Sequence, residues 1–194
     1  MNYIVGYNDY ANEGFKNNLI VAAISMSLLN SCSILHKHKH KEPIETVEDI
    51  IKNRNLHLNK KFEENMGKLP LPVDGGKITS KFGVHTVPNT KVKVDNKGIT
   101  INTTKNSILY PVFNGVVTRI FDVCGELTII VNHGKYYTVY SGIKKLRHNI
   151  KVNSEVSYNE SIGFASNSLH FEIWKANGNK AKPINPELCC NFVN

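Results

Sequence analysis

The stretch Ser168–Trp174 carries the residue types and the spacing from which a functional site could be built. It alternates apolar and polar residues, which is the pattern of a half-buried β-strand whose successive side chains point to opposite faces. The apolar face suits a core. The other face presents a histidine and a carboxylate, His170 and Glu172, which are residue types used for proton transfer and metal ligation. The sequence therefore predicts a rigid strand with one chemically competent face.

Short strands and turns are predicted to surround this stretch from Gly67 onward. Tight-turn punctuation such as Asn114-Gly115 separates the apolar runs. Many short strands with little helix favour a mainly β domain over residues 67–194. The segments with strand character are Gly76–Phe82, Gly98–Asn102, Gly115–Phe121, Glu126–Asn132, Tyr136–Ser141 and Leu169–Lys175.

One helix is predicted before the β domain, over residues 43–66. Pro43 suits a first turn, and the acidic residues that follow it favour the positive end of a helix. Isoleucine and valine side chains recur at helical spacing and form an apolar stripe. Gly67 is expected to end the helix.

The N-terminal segment is predicted to be a signal peptide, over residues 1–32. The uncharged run Asn18–Leu29 is too short to span a bilayer but suits the apolar region of such a signal. Leu29-Asn30-Ser31-Cys32 resembles a bacterial lipobox, which implies cleavage before Cys32 and lipidation of its sulfur. An ordinary signal peptide, or a short buried helix with an incidental cysteine, is the alternative interpretation.

A basic tether is predicted over residues 33–42, where histidine and lysine alternate from His36 to Lys41. Such a segment is attracted to anionic lipid head groups. Weak binding of a transition metal by the alternating histidines is the alternative.

Composition limits the class of partner. The formal net charge of +8 over 194 residues favours anionic partners such as lipid head groups, cell-wall polymers or nucleic acid. The sequence lacks phosphate-loop, dinucleotide and helix-turn-helix signals, so we expect no nucleic-acid partner. The four cysteines, Cys32, Cys124, Cys189 and Cys190, lack zinc-finger spacing, and a disulfide from Cys124 to one of the last two stays open.

Seven ordered segments resemble one protein family. They are Gly67–Val73, Ile78–His85, Asn96–Ile101, Tyr110–Val117, Val131–Tyr140, Ser168–Trp174 and Asn185-Pro186. Together they are similar to the LytM-type, lysostaphin-like peptidoglycan endopeptidase domain, and especially to its murein-hydrolase-activator branch and Bacteroidetes-like relatives. The resemblance covers about Gly67–Pro186. It implies a two-layer antiparallel β-sheet of the duplicated-hybrid-motif type, with a groove across one face.

The resemblance also implies where zinc chemistry would occur. Active members hold zinc with a His-x-x-x-Asp motif and with the second histidine of His-x-His. The first histidine of that motif, and another in a Tyr-x-His-Leu segment, assist the attacking water. A catalytic zinc needs three protein ligands and an open position, where it lowers the pKa of bound water. The assisting histidines move protons and stabilise developing charge.

Most of these positions are replaced in this chain. Asn96 and Thr100 stand in the His-x-x-x-Asp motif, Gly142 replaces the assisting histidine of Tyr-x-His-Leu, and Ser168 replaces the first histidine of His-x-His. His170 alone remains. Because zinc affinity depends on the number and charge of the ligands, we expect no zinc cofactor and no peptidase activity by this mechanism.

Other residues remain candidates for a metal site or a binding groove. A metal site rebuilt from His85, His133 and His170 is one alternative, although the family position of His133 supports a turn. Tyr140 and Trp174 suit either a sugar- or peptide-binding groove or the core, and both interpretations stay open. The predicted groove residues are His85, Tyr140, His170, Glu172 and Trp174.

The resulting expectation is a catalytically degenerate, lipid-anchored protein on the periplasmic side of the cell envelope. It would bind peptidoglycan or regulate a murein amidase, as degenerate members of the resembling branch do, although here one helix at 43–66 replaces their long coiled coil. Two alternative functions stay open. One is an active cell-wall metalloendopeptidase with a non-standard metal site, and the other is a structural lipoprotein that tethers envelope layers.

Overall fold

The computed structural model describes residues 46–87 and 89–191. The predicted signal peptide with Cys32, the basic tether and the first residues of the predicted helix lie outside the described residues. The chain divides into two units, 1–54 and 55–194. Within the described ranges, no helix has the length and apolarity needed to cross a membrane.

Helix α1 spans Val47–Glu64, a shorter range than the predicted 43–66. It begins at Val47 because Thr46 caps it. The Thr46 hydroxyl accepts the Asp49 N–H at 3.1 Å, and the Asp49 carboxylate accepts the Thr46 N–H at 3.3 Å. This reciprocal pair is a capping box, which satisfies two backbone donors at the helix start.

The helix ends at Glu64, two residues before the predicted end, and the chain then turns through Gly67. Gly67 has a φ of +80°, which glycine adopts without a steric penalty. Its N–H donates to the carbonyl of Cys189 at 2.7 Å. This bond ties the start of the β domain to its last short helix, α2 (Pro186–Cys189).

Antiparallel strands make up the rest of unit 55–194. The main sheet has nine strands in the order β1-β4-β10-β8-β7-β6-β9, with β11 and β5 also paired to β10, and β2 and β3 form a separate hairpin. The strands are β1 (Lys77–Ser80), β2 (Gly83–Thr86), β3 (Lys93–Asn96), β4 (Ile99–Asn102), β5 (Ile108–Leu109), β6 (Gly115–Val123), β7 (Glu126–Asn132), β8 (Tyr136–Leu146), β9 (Glu155–Val156), β10 (Gly163–Asn177) and β11 (Lys180–Ile184). The predicted mainly β fold of the LytM type is confirmed.

The core lies on one face of this sheet and is organised by β10, the predicted strand. Leu169, Phe171 and Ile173 are fully buried, as their alternation predicted. Phe62, from the second half of α1, is also fully buried and stacks on Tyr136 with ring centroids 4.6 Å apart. The opposite face of β10 is therefore left for polar side chains.

The cysteines in the described residues are free thiols. Cys124 is exposed, whereas Cys189 and Cys190 are buried. The disulfide that the sequence left open is not formed in the structure.

Candidate functional site

The candidate site lies at the middle of the sheet, where β10 runs between β4 and β8. His170 pairs with Thr100 on β4 and with Ser141 on β8. Directly opposed residues of antiparallel strands share a face and lie about 5 Å apart. The sheet therefore brings together residues that are about 70 and 30 positions apart in the sequence, as the family resemblance implied for His170 and Thr100.

His170 is held by hydrogen bonds at both ring nitrogens. Its Nδ1 lies 3.3 Å from the Thr100 hydroxyl, and its Nε2 lies 3.0 Å from Oε1 of Glu172. Because a carboxylate only accepts, Nε2–H donates to Glu172, and Nδ1 shares a hydrogen bond with the Thr100 hydroxyl. His170 thus belongs to a chain of hydrogen bonds in which both of its ring nitrogens are engaged.

Glu172 is the buried centre of this chain, with 5% of its surface exposed. Its second oxygen, Oε2, accepts the indole N–H of Trp174 at 2.6 Å. One carboxylate therefore fixes both an imidazole and an indole, and burial in the sheet strengthens such charge-assisted bonds. Glu172 therefore fixes the orientation of His170 and Trp174 on this face.

Asn96, at the end of the β2–β3 hairpin, is also committed to the fold. It is 9% exposed. Its amide nitrogen donates to the Ser80 hydroxyl at 3.0 Å and to the Lys81 carbonyl at 2.9 Å, and its amide oxygen accepts the Gly98 N–H at 3.2 Å. The asparagine that replaces a histidine ligand therefore links the hairpin to the start of β4.

Gly142 occupies a position where the backbone leaves no room for a side chain. Its φ is +88°, and a Cβ there would lie 2.3 Å from the carbonyl oxygen of Ser168. The pairing of β8 with β10 shifts register between Ala165 and His170, which leaves extra residues of β10 opposite Gly142. Such a bulge needs a residue that tolerates a left-handed conformation, so this local geometry matches glycine and excludes histidine.

The donor set at these positions does not fit zinc. Asn96 and Thr100 are neutral, Gly142 has no side chain, and both nitrogens of His170 are engaged. A zinc site would need charged or imidazole ligands at three positions. In the part of the chain that the structure describes, no group of three His, Cys, Asp or Glu residues is placed to hold a metal.

The other two candidate histidines, His85 and His133, lie in different environments. His85 is exposed on β2, where its Nδ1 lies 3.2 Å from the Gly83 carbonyl. His133 is fully buried and lies 2.8 Å from both the Asn114 carbonyl and the Thr138 hydroxyl, so it supports a turn. Burial lowers the pKa of His133 to about 4. A metal site shared by His85, His133 and His170 is therefore incompatible with this structure.

Tyr140 belongs to the core and is a correction to the predicted groove residues. It is fully buried, and its hydroxyl accepts the Val112 N–H at 2.9 Å. Burial raises the pKa of this hydroxyl. The sequence left open whether Tyr140 lies in a groove or in the core. The structure places it in the core, where its ring packs against Phe171.

Tyr137 is a groove residue that the sequence analysis missed. It is half-buried on the polar face of β8, directly opposite Trp174. The alternation of β8 places Tyr137 on the opposite face from Tyr136 and Tyr140. The sequence contains this alternation, but the strand pairing that sets Tyr137 beside Trp174 is a tertiary property.

Known proteins support this assignment of the fold. Residues 94–186 match the model of Peptidase family M23. No curated protein sequence is significantly similar to the chain.

Solved structures share the same fold at low sequence identity. Csd3 from Helicobacter pylori is similar with a TM-score of 0.55 and 23% identity, over 65% of this chain and 35% of that one. A zinc-containing peptidase from Vibrio cholerae gives a TM-score of 0.53 and 21% identity, over 66% of this chain and 41% of that one. The structure of the SpoIIQ–SpoIIIAH pore-forming complex gives a TM-score of 0.52 and 21% identity, over 65% of this chain and 92% of that one.

The chain thus covers well under half the length of the first two proteins. The ordered motifs, the antiparallel sheet and the matched residues 94–186 agree with one another. Residues 94–186 therefore match peptidase family M23, which confirms the predicted resemblance to the LytM-type endopeptidases.

Proposed function

We propose that this chain is a non-catalytic member of the M23 family that binds peptidoglycan at the cell envelope. The observation that carries the proposal is the series of hydrogen bonds from Thr100 through His170 to Glu172 at the position of the family's zinc site. Each group there already has a partner within the fold. Among the residues that the structure describes, no three ligands are placed here to hold a metal that would activate a water molecule.

A binding role remains for this face of the sheet. This face presents half-buried polar and aromatic side chains beside the positions where the family's catalytic groups are replaced. The net charge of +8 favours association with the anionic cell wall. Regulation of a murein amidase by the wall-bound protein is the more specific form of the proposal.

The primary test is sedimentation of the full chain with purified sacculi, with and without a murein amidase. Saturable co-sedimentation that weakens as salt is raised is the expected result, because a basic protein binds an anionic polymer partly through its charge. An increase in amidase turnover on adding the protein would support the regulatory form. A protein that stays in solution at every salt concentration would overturn the proposal.

A second experiment addresses catalysis directly. The full chain is incubated with zinc, dialysed, and assayed for bound metal and for muropeptide release. We expect neither stoichiometric zinc nor cleavage products. Stoichiometric zinc, together with cleavage that is lost in His170→Ala, would instead establish an active endopeptidase with an unusual site.

Membrane anchoring through Cys32 is part of the same proposal. The lipobox-like segment that ends at Cys32 supports it. Replacing Cys32 by serine is expected to move the protein from the membrane to the soluble fraction, since acylation requires the thiol. Unchanged fractionation would contradict lipidation and would leave wall binding to be judged on the sedimentation data.

A further inference from the structure

A row of half-buried side chains, two of them aromatic, crosses the sheet next to the degenerate zinc site. Trp174 on β10 lies opposite Pro183 on β11 and opposite Tyr137 on β8, and Tyr137 in turn lies opposite Asn132 on β7. All four residues are half-buried. We call Pro183, Trp174, Tyr137 and Asn132 the aromatic row. Paired residues share a face, so the row forms a continuous strip on the groove side.

The indole of Trp174 is held in place before any ligand arrives. Its Nε1–H donates to Glu172, whose other oxygen is engaged by His170. A ring that is already fixed loses little conformational entropy on binding, and this raises affinity. Glu172 therefore links His170 to Trp174, the central residue of the aromatic row.

The dimensions and chemistry of the row match a short piece of carbohydrate. Neighbouring strands are about 4.8 Å apart, so the strip from Pro183 to Tyr137 is about 10 Å long, close to two pyranose rings. Flat aromatic faces pack against the C–H face of a sugar ring, while an amide such as that of Asn132 bonds its hydroxyl or N-acetyl groups.

Charge on the same face favours an acidic sugar polymer. The next row across the sheet runs from Glu172 through Val139 and Ile130 to Arg119. The carboxylate of Glu172 is buried and engaged by two donors, Val139 and Ile130 are buried, and Arg119 is half-buried at the end of this row. The guanidinium of Arg119 complements the lactyl carboxylates that are free in glycan strands from which the stem peptide has been removed.

We infer that the aromatic row is a glycan-binding subsite that takes the N-acetylhexosamine strand of peptidoglycan rather than its peptide stem. This inference rests on the proposed wall-binding function and names the part of the polymer that the groove contacts. The sugar stacks on Trp174 and Tyr137, and Asn132 and Arg119 provide polar contacts at its side.

The test uses the single tryptophan of the chain as its reporter. Intrinsic fluorescence of the full chain is titrated with peptide-free glycan strands, with N-acetylglucosamine oligomers and with free stem peptide. A saturable change in emission is expected with the glycans and not with the peptide, because Trp174 lies in the proposed subsite.

Substitution at Tyr137 provides the matched comparison. Tyr137→Ala should weaken glycan binding by about tenfold through the lost ring contact, and Tyr137→Phe should keep most of it. Tyr158→Ala is the control, since Tyr158 is 51% exposed and outside the row. Circular dichroism checks that each variant is folded. If Tyr137→Ala does not fold, the titration of the wild-type protein with glycans and stem peptide still tests the inference.

The outcomes separate this inference from the proposed function. Binding to sacculi without any fluorescence response to glycans, or a response to stem peptide alone, would overturn the glycan subsite and leave the wall-binding proposal intact. Equal glycan affinity in wild type and a folded Tyr137→Ala would also overturn it. Absence of binding to sacculi and to glycans would overturn both.

Discussion

Nε2 of His170 lies 3.0 Å from Oε1 of Glu172, two positions further along the same strand. Alternation places both side chains on the groove face of β10, next to each other along the strand. Trp174, two more positions along, donates to the other oxygen of Glu172. One buried carboxylate thereby connects His170, at the position of the family's zinc site, to the aromatic row.

Removal of the Glu172 carboxylate is expected to destabilise the fold, whereas an amide should be tolerated. Glu172→Ala leaves the Trp174 and His170 donors without their acceptor and should cost about 2 kcal/mol of unfolding free energy. In Glu172→Gln, the amide oxygen still accepts from Trp174 and the amide nitrogen donates to the other tautomer of His170, so the cost should stay below about 1 kcal/mol. Urea denaturation of the two variants measures this difference, and equal stability of Glu172→Ala and wild type would contradict it.

A side chain at Gly142 is expected to be strongly unfavourable. A Cβ at this position would meet the Ser168 carbonyl oxygen at 2.3 Å. Gly125→Ala is a matched control, because Gly125 has a similar φ of +86° but nothing within 4 Å of the added atom. The control should cost about 1–2 kcal/mol from backbone conformation alone. Gly142→Ala and Gly142→His should cost clearly more by chemical denaturation, and equal costs at the two glycines would show that β10 moves to accept the side chain.

Two substitutions together should create a zinc site at the family's ligand positions. Asn96→His with Thr100→Asp would add an imidazole and a carboxylate to His170, which gives the three ligands of a catalytic zinc. We expect the double variant to retain zinc through dialysis in stoichiometric amount. Asn96→His with Thr100→Asn is the control, since it has a similar size without the charge. Equal zinc content in the two variants would show that the carboxylate position does not complete a site.

His133 is expected to make stability depend on pH. Its pKa is lowered from 6.5 to about 4 because burial disfavours the charged ring. The unfolded chain therefore binds the proton more tightly than the folded chain. Stability is at its full value above pH 6.5, falls as the pH drops towards 4, and levels off below that, with a total loss of about 3 kcal/mol from this group.

Urea denaturation between pH 4 and pH 7.5 measures this contribution. His133→Asn removes the titrating ring at the same site and should flatten the pH profile, whatever its effect on absolute stability. An identical slope in the variant and in wild type would assign the pH dependence to other groups.

The sequence determined the elements and the chemistry that this fold can carry. The alternation around His170 predicted a strand with a buried apolar face, and local turn residues predicted where strands end, because both patterns depend on neighbouring residues only. The ordered motifs predicted the M23 fold, and the residues at positions 96, 100, 142 and 168 predicted the altered zinc site. Even the helix was located by its stripe and its acidic first turn, although the capping pair of Thr46 and Asp49 moved its start.

Only the tertiary structure decided which side chains meet. Tyr140 and Tyr137 are both aromatic and three positions apart, yet one is a core residue and the other pairs with Trp174 on the groove face. The same holds for His133 and His170, since burial makes the first a structural residue while the second lies beside Thr100. Strand register and the direction in which each face points are set by long-range pairing, and no local pattern contains that information.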